Sequence, residues 1–258
     1  MIDITDTDRI RTIQLKRPEA KNAMNEAMWD GAAQAFLDAA EDPDVAVVVF
    51  TGSDDSFSAG QDVIEMAQSA MGDLERGEHG FPGMYTAVAE FPKPLICAVN
   101  GIGLGFGVTI LGFADLVFMS TNARLKCPFT SLGVAPEFAS SFTFPQLLGR
   151  QNASWVLMSS EWIDAAAAKE MGLAWKLCEP DELMDSTMAH ARVLASKPIN
   201  SLIESKRVIM EPVRQHLRNA RAQEDAAFGV LLGGPANIEA MAAFAEKRDP
   251  NFSQIPGA

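Results

Sequence analysis

A run of alternating glycines is the segment of this sequence best suited to bind a developing negative charge. Gly101, Gly103, Gly105 and Gly107 alternate with larger residues. Because glycine has no Cβ, its backbone adopts unusual dihedrals and lets N–H groups approach a ligand closely. Such groups suit a bound anion, or a carbonyl oxygen that gains charge during a reaction. The alternative is a tight turn with close helix packing.

The glycine run does not fit the common nucleotide-binding patterns. Phe106, Val108 and Ile110 break each frame of G-x-G-x-x-G, and the sequence has no G-K-[ST] there. The spacing therefore disfavours both a dinucleotide site and a P-loop.

A second small-residue turn, Ser58-Ala59-Gly60-Gln61, follows the β-branched run 45–50 and the polar turn 51–55. A continuous run of this kind is typical of a parallel strand buried on both faces. Open α/β sheets bind ligands beyond the carboxyl ends of such strands. The turn is therefore a second candidate for the binding site.

The candidate for acid–base chemistry is Glu137. It lies between Pro136 and Phe138 in an apolar, small-residue neighbourhood. A carboxylate there is poorly solvated, which raises its pKa toward that of a general base. The alternative is a cap or first-turn glutamate stabilised by the dipole of the following helix.

The elements that must position these residues alternate between strands and helices, which predicts an α/β fold. Asn25 is the predicted N-cap of the first helix, and a loop is expected over 68–83. Beyond 182 the chain is predicted to be helical, with breaks at Pro198, Pro212 and 233–235. The strands are predicted at 10–15, 45–50, 95–99, 115–119 and 173–177, and the helices at 26–40, 84–90, 105–112, 144–158 and 164–171.

Composition limits the class of protein. The 258 residues carry a net charge of −13, which argues against nucleic-acid binding. The N-terminus is acidic and no apolar run reaches about 20 residues, so we expect a cytoplasmic protein with no membrane partner. Three isolated cysteines indicate buried thiols, and three scattered histidines disfavour a metal site.

Six segments in order resemble the crotonase (enoyl-CoA hydratase/isomerase) superfamily over nearly the whole chain. The segments are Arg17-Pro18 with Asn22–Asn25, Phe57–Asp62, Lys93-Pro94 with Ala98–Gly107, Ala114–Val117, Leu132-Gly133 with Pro136-Glu137, and Ala243–Phe252. The resemblance implies a spiral of ββα turns with a C-terminal helical trimerisation region. We accordingly expect a spiral core with an acyl-CoA site over 1–197 and a helical oligomerisation region over 198–258.

The resemblance also implies an acyl-CoA thioester substrate, of which coenzyme A is a part, with no separate cofactor and no metal. A homotrimer, or a hexamer formed as a dimer of trimers, is expected. Two backbone N–H groups would form an oxyanion hole, and they correspond here to Gln61 and Phe106. Because the donors belong to the main chain, neither position needs a particular side chain.

The carboxylates decide the expected reaction. Hydratases of this family use two glutamates, whose positions fall at Thr109 and Phe129, and neither is acidic here. Glu137 matches the single base of the peroxisomal type of Δ3,Δ2-enoyl-CoA isomerase. The resemblance therefore favours an isomerase of fatty acid metabolism. Enoyl-CoA hydratase or another crotonase activity remains an alternative, as does an acyl-CoA-binding protein without chemistry.

The rest of the substrate-binding surface follows from the resemblance more loosely. Lys21, Ala23 and Met24 lie where the family lines the nucleotide and pantetheine path. Phe244 and Lys247 match a pair that often reaches coenzyme A from a neighbouring subunit. The remaining predicted contacts are Ser58, Ala59, Gly60, Asp62, Val63, Ile64, Gly103, Gly105, Pro128 and Pro136.

Overall fold

The fold is built from two β-sheets and a shell of helices, which the computed structural model describes for residues 1–71 and 76–255. The strands are β1 (Ile2–Thr7), β2 (Ile10–Leu15), β3 (Val47–Thr51), β4 (Ser56–Ser58), β5 (Leu95–Val99), β6 (Ile102–Leu104), β7 (Leu116–Ser120), β8 (Arg124–Lys126), β9 (Ile163–Asp164) and β10 (Lys176–Cys178). The helices are α1 (Glu26–Glu41), α2 (Val63–Met71), α3 (Gly80–Ala89), α4 (Phe106–Thr109), α5 (Ser140–Leu148), α6 (Arg150–Met158), α7 (Ala165–Met171), α8 (Leu183–Ala195), α9 (Ile199–Met210), α10 (Arg214–Leu231) and α11 (Pro235–Ala245).

The strands form two separate sheets. The larger has the order β1-β2-β3-β5-β7-β10, and the smaller has the order β4-β6-β8-β9. In the larger sheet β1 pairs antiparallel with β2, and the other neighbours are parallel. Pairs of consecutive strands, such as β3 with β4 and β5 with β6, place one strand in each sheet. This arrangement confirms the predicted α/β fold with ββα turns.

The central strand β3 is buried on both faces, as its β-branched sequence predicts. Val47 and Val49 face a cluster that includes Leu183 of α8. Phe50 faces the opposite layer, where its ring lies 5.8 Å from that of Phe36 on α1. Asn25 caps α1 as predicted, because its side chain accepts a hydrogen bond from the backbone N–H of Met28.

Some local predictions differ from the structure. The helix expected over 144–158 is two helices, separated at Gly149 with φ +74°. A loop is expected over 68–83, but α2 extends to Met71 and α3 begins at Gly80, so both ends of this range are helical. Residues 72–75 lie outside the described residues. Strand β1 was not predicted, since five of its six residues are exposed.

The C-terminal helices fold back onto their own chain. Helix α10 packs on α5, and α11 packs on the turn at Thr130–Leu132. Asn237 Nδ2 donates to the backbone oxygen of Leu132 at 2.8 Å. Within the described residues no single helix is long and apolar enough to cross a membrane, although one bent pair, Ile199–Leu231 with Pro235–Ala245, passes on length and composition alone.

Candidate functional site

The two glycine turns meet because β4 and β6 are parallel neighbours. Ser58 pairs with Gly103, so Gly60 and Gly105 each lie two residues beyond the paired positions. A Cβ placed on Gly60 would lie 2.6 Å from the Leu104 oxygen and 3.5 Å from the Phe106 nitrogen. The turns are therefore in van der Waals contact at the carboxyl edge of the smaller sheet.

Glycine is required in these turns for two reasons. Gly60 has φ +77° and Gly105 has φ +50°, which is the left-handed region that side chains disfavour. Gly101 and Gly107 instead approach other backbone directly, since an added Cβ would collide with the oxygens of Asp55 and Ser58. Close packing and backbone conformation therefore both contribute to the glycine run.

The N–H groups of Gln61 and Phe106 donate to no acceptor among the residues that the structure describes. Phe106 begins α4, and the first N–H groups of a helix have no intrahelical acceptor. Gln61 lies between Gly60, whose oxygen accepts from Met24, and Asp62, whose N–H donates to Met24. Both residues line one cavity, so their N–H groups are candidate donors to a ligand oxygen there.

Trp29 contacts both donor residues, a role that sequence reasoning missed. Its Nε1 donates to Gln61 Oε1 at 3.0 Å, and its ring packs edge-on against that of Phe106 with centroids 4.7 Å apart. The indole is 1% exposed. Trp29 therefore contacts both turns through side chains. These contacts do not occupy the main-chain N–H groups of Gln61 and Phe106.

The Glu137 carboxylate is held by one contact. Thr109 Oγ1 donates to Glu137 Oε1 at 2.6 Å, while Oε2 is shielded from solvent and has no partner among the described residues. Helix α5 begins only at Ser140, whose N–H and hydroxyl both donate to the backbone oxygen of Glu137. The carboxylate is therefore not a helix cap, and the alternative of a capping glutamate is wrong.

Burial raises the pKa of Glu137 to about 8. The hydrogen bond from Thr109 opposes this effect, the charge of Glu224 adds to it, Arg221 lowers the pKa and Asp225 raises it. A carboxylate with a pKa near neutrality is suited to proton transfer, because it both accepts and returns a proton readily.

Thr109→Val tests the contact that favours the ionised form of Glu137. Removing the hydroxyl raises the pKa of Glu137, so the midpoint of the rise of kcat/KM with pH, expected near 8 in the wild type, moves to higher pH. The expected loss at pH 7 is about 10- to 100-fold, since a hydrogen bond to a charged group contributes about 1.5–3 kcal/mol.

The matched control is Thr143→Val. The Thr143 hydroxyl is also buried but has no partner among the described residues. We expect an unchanged midpoint for this variant. A Thr109→Val midpoint that stays or moves to lower pH would contradict the assigned role of the hydroxyl.

The cavity that contains Gln61, Phe106 and Glu137 has a volume of about 710 Å³. This volume suits a ligand of drug-like size. Phe129, at one of the two positions that the resemblance assigns to hydratase glutamates, lines the cavity, whereas Thr109 is fully buried beside Glu137. Of the predicted contacts the cavity brings together Ala59, Gly60, Gln61, Val63, Gly105, Phe106, Pro128, Glu137 and Phe244.

Several predicted contacts lie outside this cavity wall. Met24 and Ser58 are fully buried, while Ile64 is 67% exposed on α2. The Asp62 carboxylate accepts from the N–H groups of Ile64 and Glu65 and pairs with Arg17 at 2.6 Å, so it anchors the start of α2. The others outside the wall are Lys21, Ala23, Gly103, Pro136 and Lys247.

Part of the cavity wall comes from α10, α11 and the turn between them in the same chain, through Arg221, Glu224, Asp225, Phe228, Leu232, Met241 and Phe244. Phe244 therefore lines a cavity of its own chain. Among the described residues no group of three His, Cys, Asp or Glu side chains is arranged to hold a metal ion. The three cysteines are buried free thiols, as predicted.

Comparison with known proteins gives one consistent family. The sequence profile described as Enoyl-CoA hydratase/isomerase matches residues 5–255. Human enoyl-CoA delta isomerase 2 is 32% identical over 86% of this chain, and the chain spans 57% of the length of that relative. Crotonyl-CoA hydratase of Syntrophomonas wolfei is 32% identical over 95% of both chains. The crystal structure of enoyl-CoA hydratase EchA8_6 from Mycobacterium marinum is 59% identical, with a TM-score of 0.79 over 82% of this chain and 99% of that one.

Proposed function

Because the chain belongs to the enoyl-CoA hydratase/isomerase family, we propose that it converts 3-enoyl-CoA thioesters into 2-enoyl-CoA thioesters with Glu137 as the base. The observation that carries this proposal is one shielded carboxylate in the same cavity as two candidate backbone N–H donors. These groups match an enolate intermediate, which needs a base at C2 and donors at the thioester oxygen.

In the proposed reaction the Glu137 carboxylate removes a proton from C2. The electrons of the C2–H bond form a C1=C2 double bond, and the carbonyl electrons move onto the thioester oxygen, which the N–H groups of Gln61 and Phe106 stabilise. Collapse of this dienolate restores the carbonyl, forms the C2=C3 double bond and lets the former C3=C4 electrons take the proton back from Glu137 at C4. One base is therefore sufficient.

Hydration is the second candidate, favoured by the similarity to crotonyl-CoA hydratase. It requires a second group that positions and activates water. Glu224 also lines the cavity, but both of its oxygens already accept backbone hydrogen bonds, from Ala139 and Ser141. Thr109 and Phe129 supply no carboxylate, so the residues around the cavity fit isomerisation better than hydration.

The test begins with deuterium exchange at C2 of butyryl-CoA in D₂O, which detects enolate formation without assuming the overall reaction. Conversion of 3-hexenoyl-CoA and hydration of crotonyl-CoA are then measured on the same preparation. Exchange with isomerisation is expected. Hydration faster than isomerisation would overturn the proposal in favour of a hydratase, and tight acyl-CoA binding without exchange would indicate a binding protein.

A further inference from the structure

The turn that carries Glu137 has an unusual backbone. Phe138 has φ +59° and Ala139 has φ +55°, and neither is glycine. Left-handed conformations at such residues are costly and persist only where surrounding contacts hold them. Ala139 is also the N-cap position of α5, yet it offers no side-chain acceptor to the N–H groups of the first turn.

Glu224 of α10 supplies the missing acceptors from a distant part of the sequence. Its Oε2 accepts from the Ala139 N–H at 2.6 Å, and its Oε1 accepts from the Ser141 N–H at 2.8 Å. The residue is 5% exposed. A buried carboxylate at the start of a helix both satisfies unpaired N–H groups and interacts favourably with the helix dipole.

We propose that Glu224 is a positioning residue for the proposed isomerisation: by holding Ala139 and Ser141 it fixes the left-handed turn that aims the Glu137 carboxylate at the substrate. The inference rests on the proposed function for its kinetic readout. It links the C-terminal helices to the reaction through main-chain geometry, because Glu224 does not touch Glu137 through any hydrogen bond between described residues.

The charge of Glu224 gives a second measurable effect, on the pKa of Glu137. A purely structural role would not produce this effect. The groups near this pair are Arg221 and Asp225 on α10, which pair at 2.7 Å, and Tyr85 on α3, whose ring lies 5.1 Å from the Arg221 guanidinium. The negative charge of Glu224 raises the pKa of Glu137. Removing that charge while keeping the side-chain length therefore lowers the pKa of Glu137.

Two variants separate geometry from charge. Glu224→Gln keeps the length, but its amide accepts only one of the two N–H groups and presents its own donors to the other. Glu224→Asp keeps the charge and shortens the side chain by one methylene. For both we expect kcat on 3-hexenoyl-CoA to fall about 10- to 100-fold with little change in KM, because small misplacements of a reacting group carry large costs.

The pH profile of kcat/KM distinguishes the two variants. Its midpoint is expected at lower pH for Glu224→Gln and unchanged for Glu224→Asp. Glu211→Gln is the control, since it removes an exposed carboxylate that pairs with Arg214 at 3.3 Å just before α10. Values of kcat within twofold of wild type for both Glu224 variants would overturn the proposal.

If the proposed isomerase activity is not found, the positioning role of Glu224 can still be tested. Hydrogen–deuterium exchange of the segment 138–148, measured by mass spectrometry, is expected to be faster in Glu224→Gln than in wild type. Unchanged protection there would overturn the positioning role whatever reaction the wild type catalyses. If Glu224→Gln does not fold, Glu224→Asp decides the question by kcat and by the same exchange measurement.

Discussion

Glu137→Gln is expected to lower kcat for 3-hexenoyl-CoA isomerisation by about 10²–10⁴-fold, the range that general acid–base catalysis contributes. Gln has almost the same shape and accepts the Thr109 hydrogen bond through its amide oxygen, but it has no basic site for the C2 proton. The N–H groups proposed as donors, those of Gln61 and Phe106, are unchanged, so acyl-CoA affinity is expected to stay within a few-fold of wild type.

Steady-state kinetics and calorimetric titration with butyryl-CoA check the two halves of this prediction. Glu170→Gln on the exposed part of α7 is the matched control, since it removes a carboxylate away from the cavity. Activity of Glu137→Gln above one-tenth of the wild-type value would show that Glu137 is not the base.

Glu137→Gln is expected to lower activity but to raise thermal stability relative to wild type at high pH. The pKa of Glu137 is about 8 in the folded chain and is raised from 4.5, so the folded state holds this proton more tightly than the unfolded state. Stability from the protonated group is full below pH 4.5 and is lost as pH rises through 8. Glu137→Gln is therefore expected to gain Tm over wild type as pH rises from 6 to 9, which thermal unfolding at both pH values checks.

Gly60→Ala is expected to lower kcat by about 10²–10³-fold, as removal of one oxyanion donor does in other enzymes. The added Cβ would lie 2.6 Å from the Leu104 oxygen, which is backbone and cannot rotate away, and φ is +77°. The strand ends must therefore separate, which displaces the N–H groups of Gln61 and Phe106 from their shared target.

Gly149→Ala isolates the conformational cost from the catalytic one. Gly149 has φ +74° and nothing within 4 Å of its Cβ position. Both substitutions place alanine at a positive φ, which costs about 1–3 kcal/mol, so both are expected to lower Tm. Only Gly60→Ala is expected to lose C2 exchange with butyryl-CoA. An equal loss of C2 exchange in both variants would show that Gly60 has no specific role in placing the two N–H groups.

Local sequence accounts for the parts of the site that depend on short-range chemistry. The glycine run, the turn at 59–61 and the shielded position of Glu137 each have a signal within a few residues. The glycine signals were predictable because glycine conformation is set by local residue types. The parallel pairing of β4 with β6, which brings the two turns together, was not predicted, because it joins two short strands that are far apart in the sequence.

The rest of the site depends on contacts between distant segments. Nothing near Trp29 indicates that its indole bridges Gln61 and Phe106, because an apolar helix position predicts only burial. Glu224 likewise reads as an ordinary polar position on a C-terminal helix. The break at Gly149 was missed because the residues on either side are compatible with one continuous helix.

Because α10 and α11 of the same chain line the cavity, two distant stretches of sequence form the candidate site. The donors and the base lie before residue 140, and another part of the wall, including Phe228 and Met241, lies beyond residue 214. Substitutions of the apolar residues in the second stretch are expected to change the space offered to an acyl chain while leaving Gln61, Phe106 and Glu137 in place. Chain-length preference is thus expected to vary with these apolar residues, whereas the type of reaction depends on the stretch before residue 140 and on Glu224.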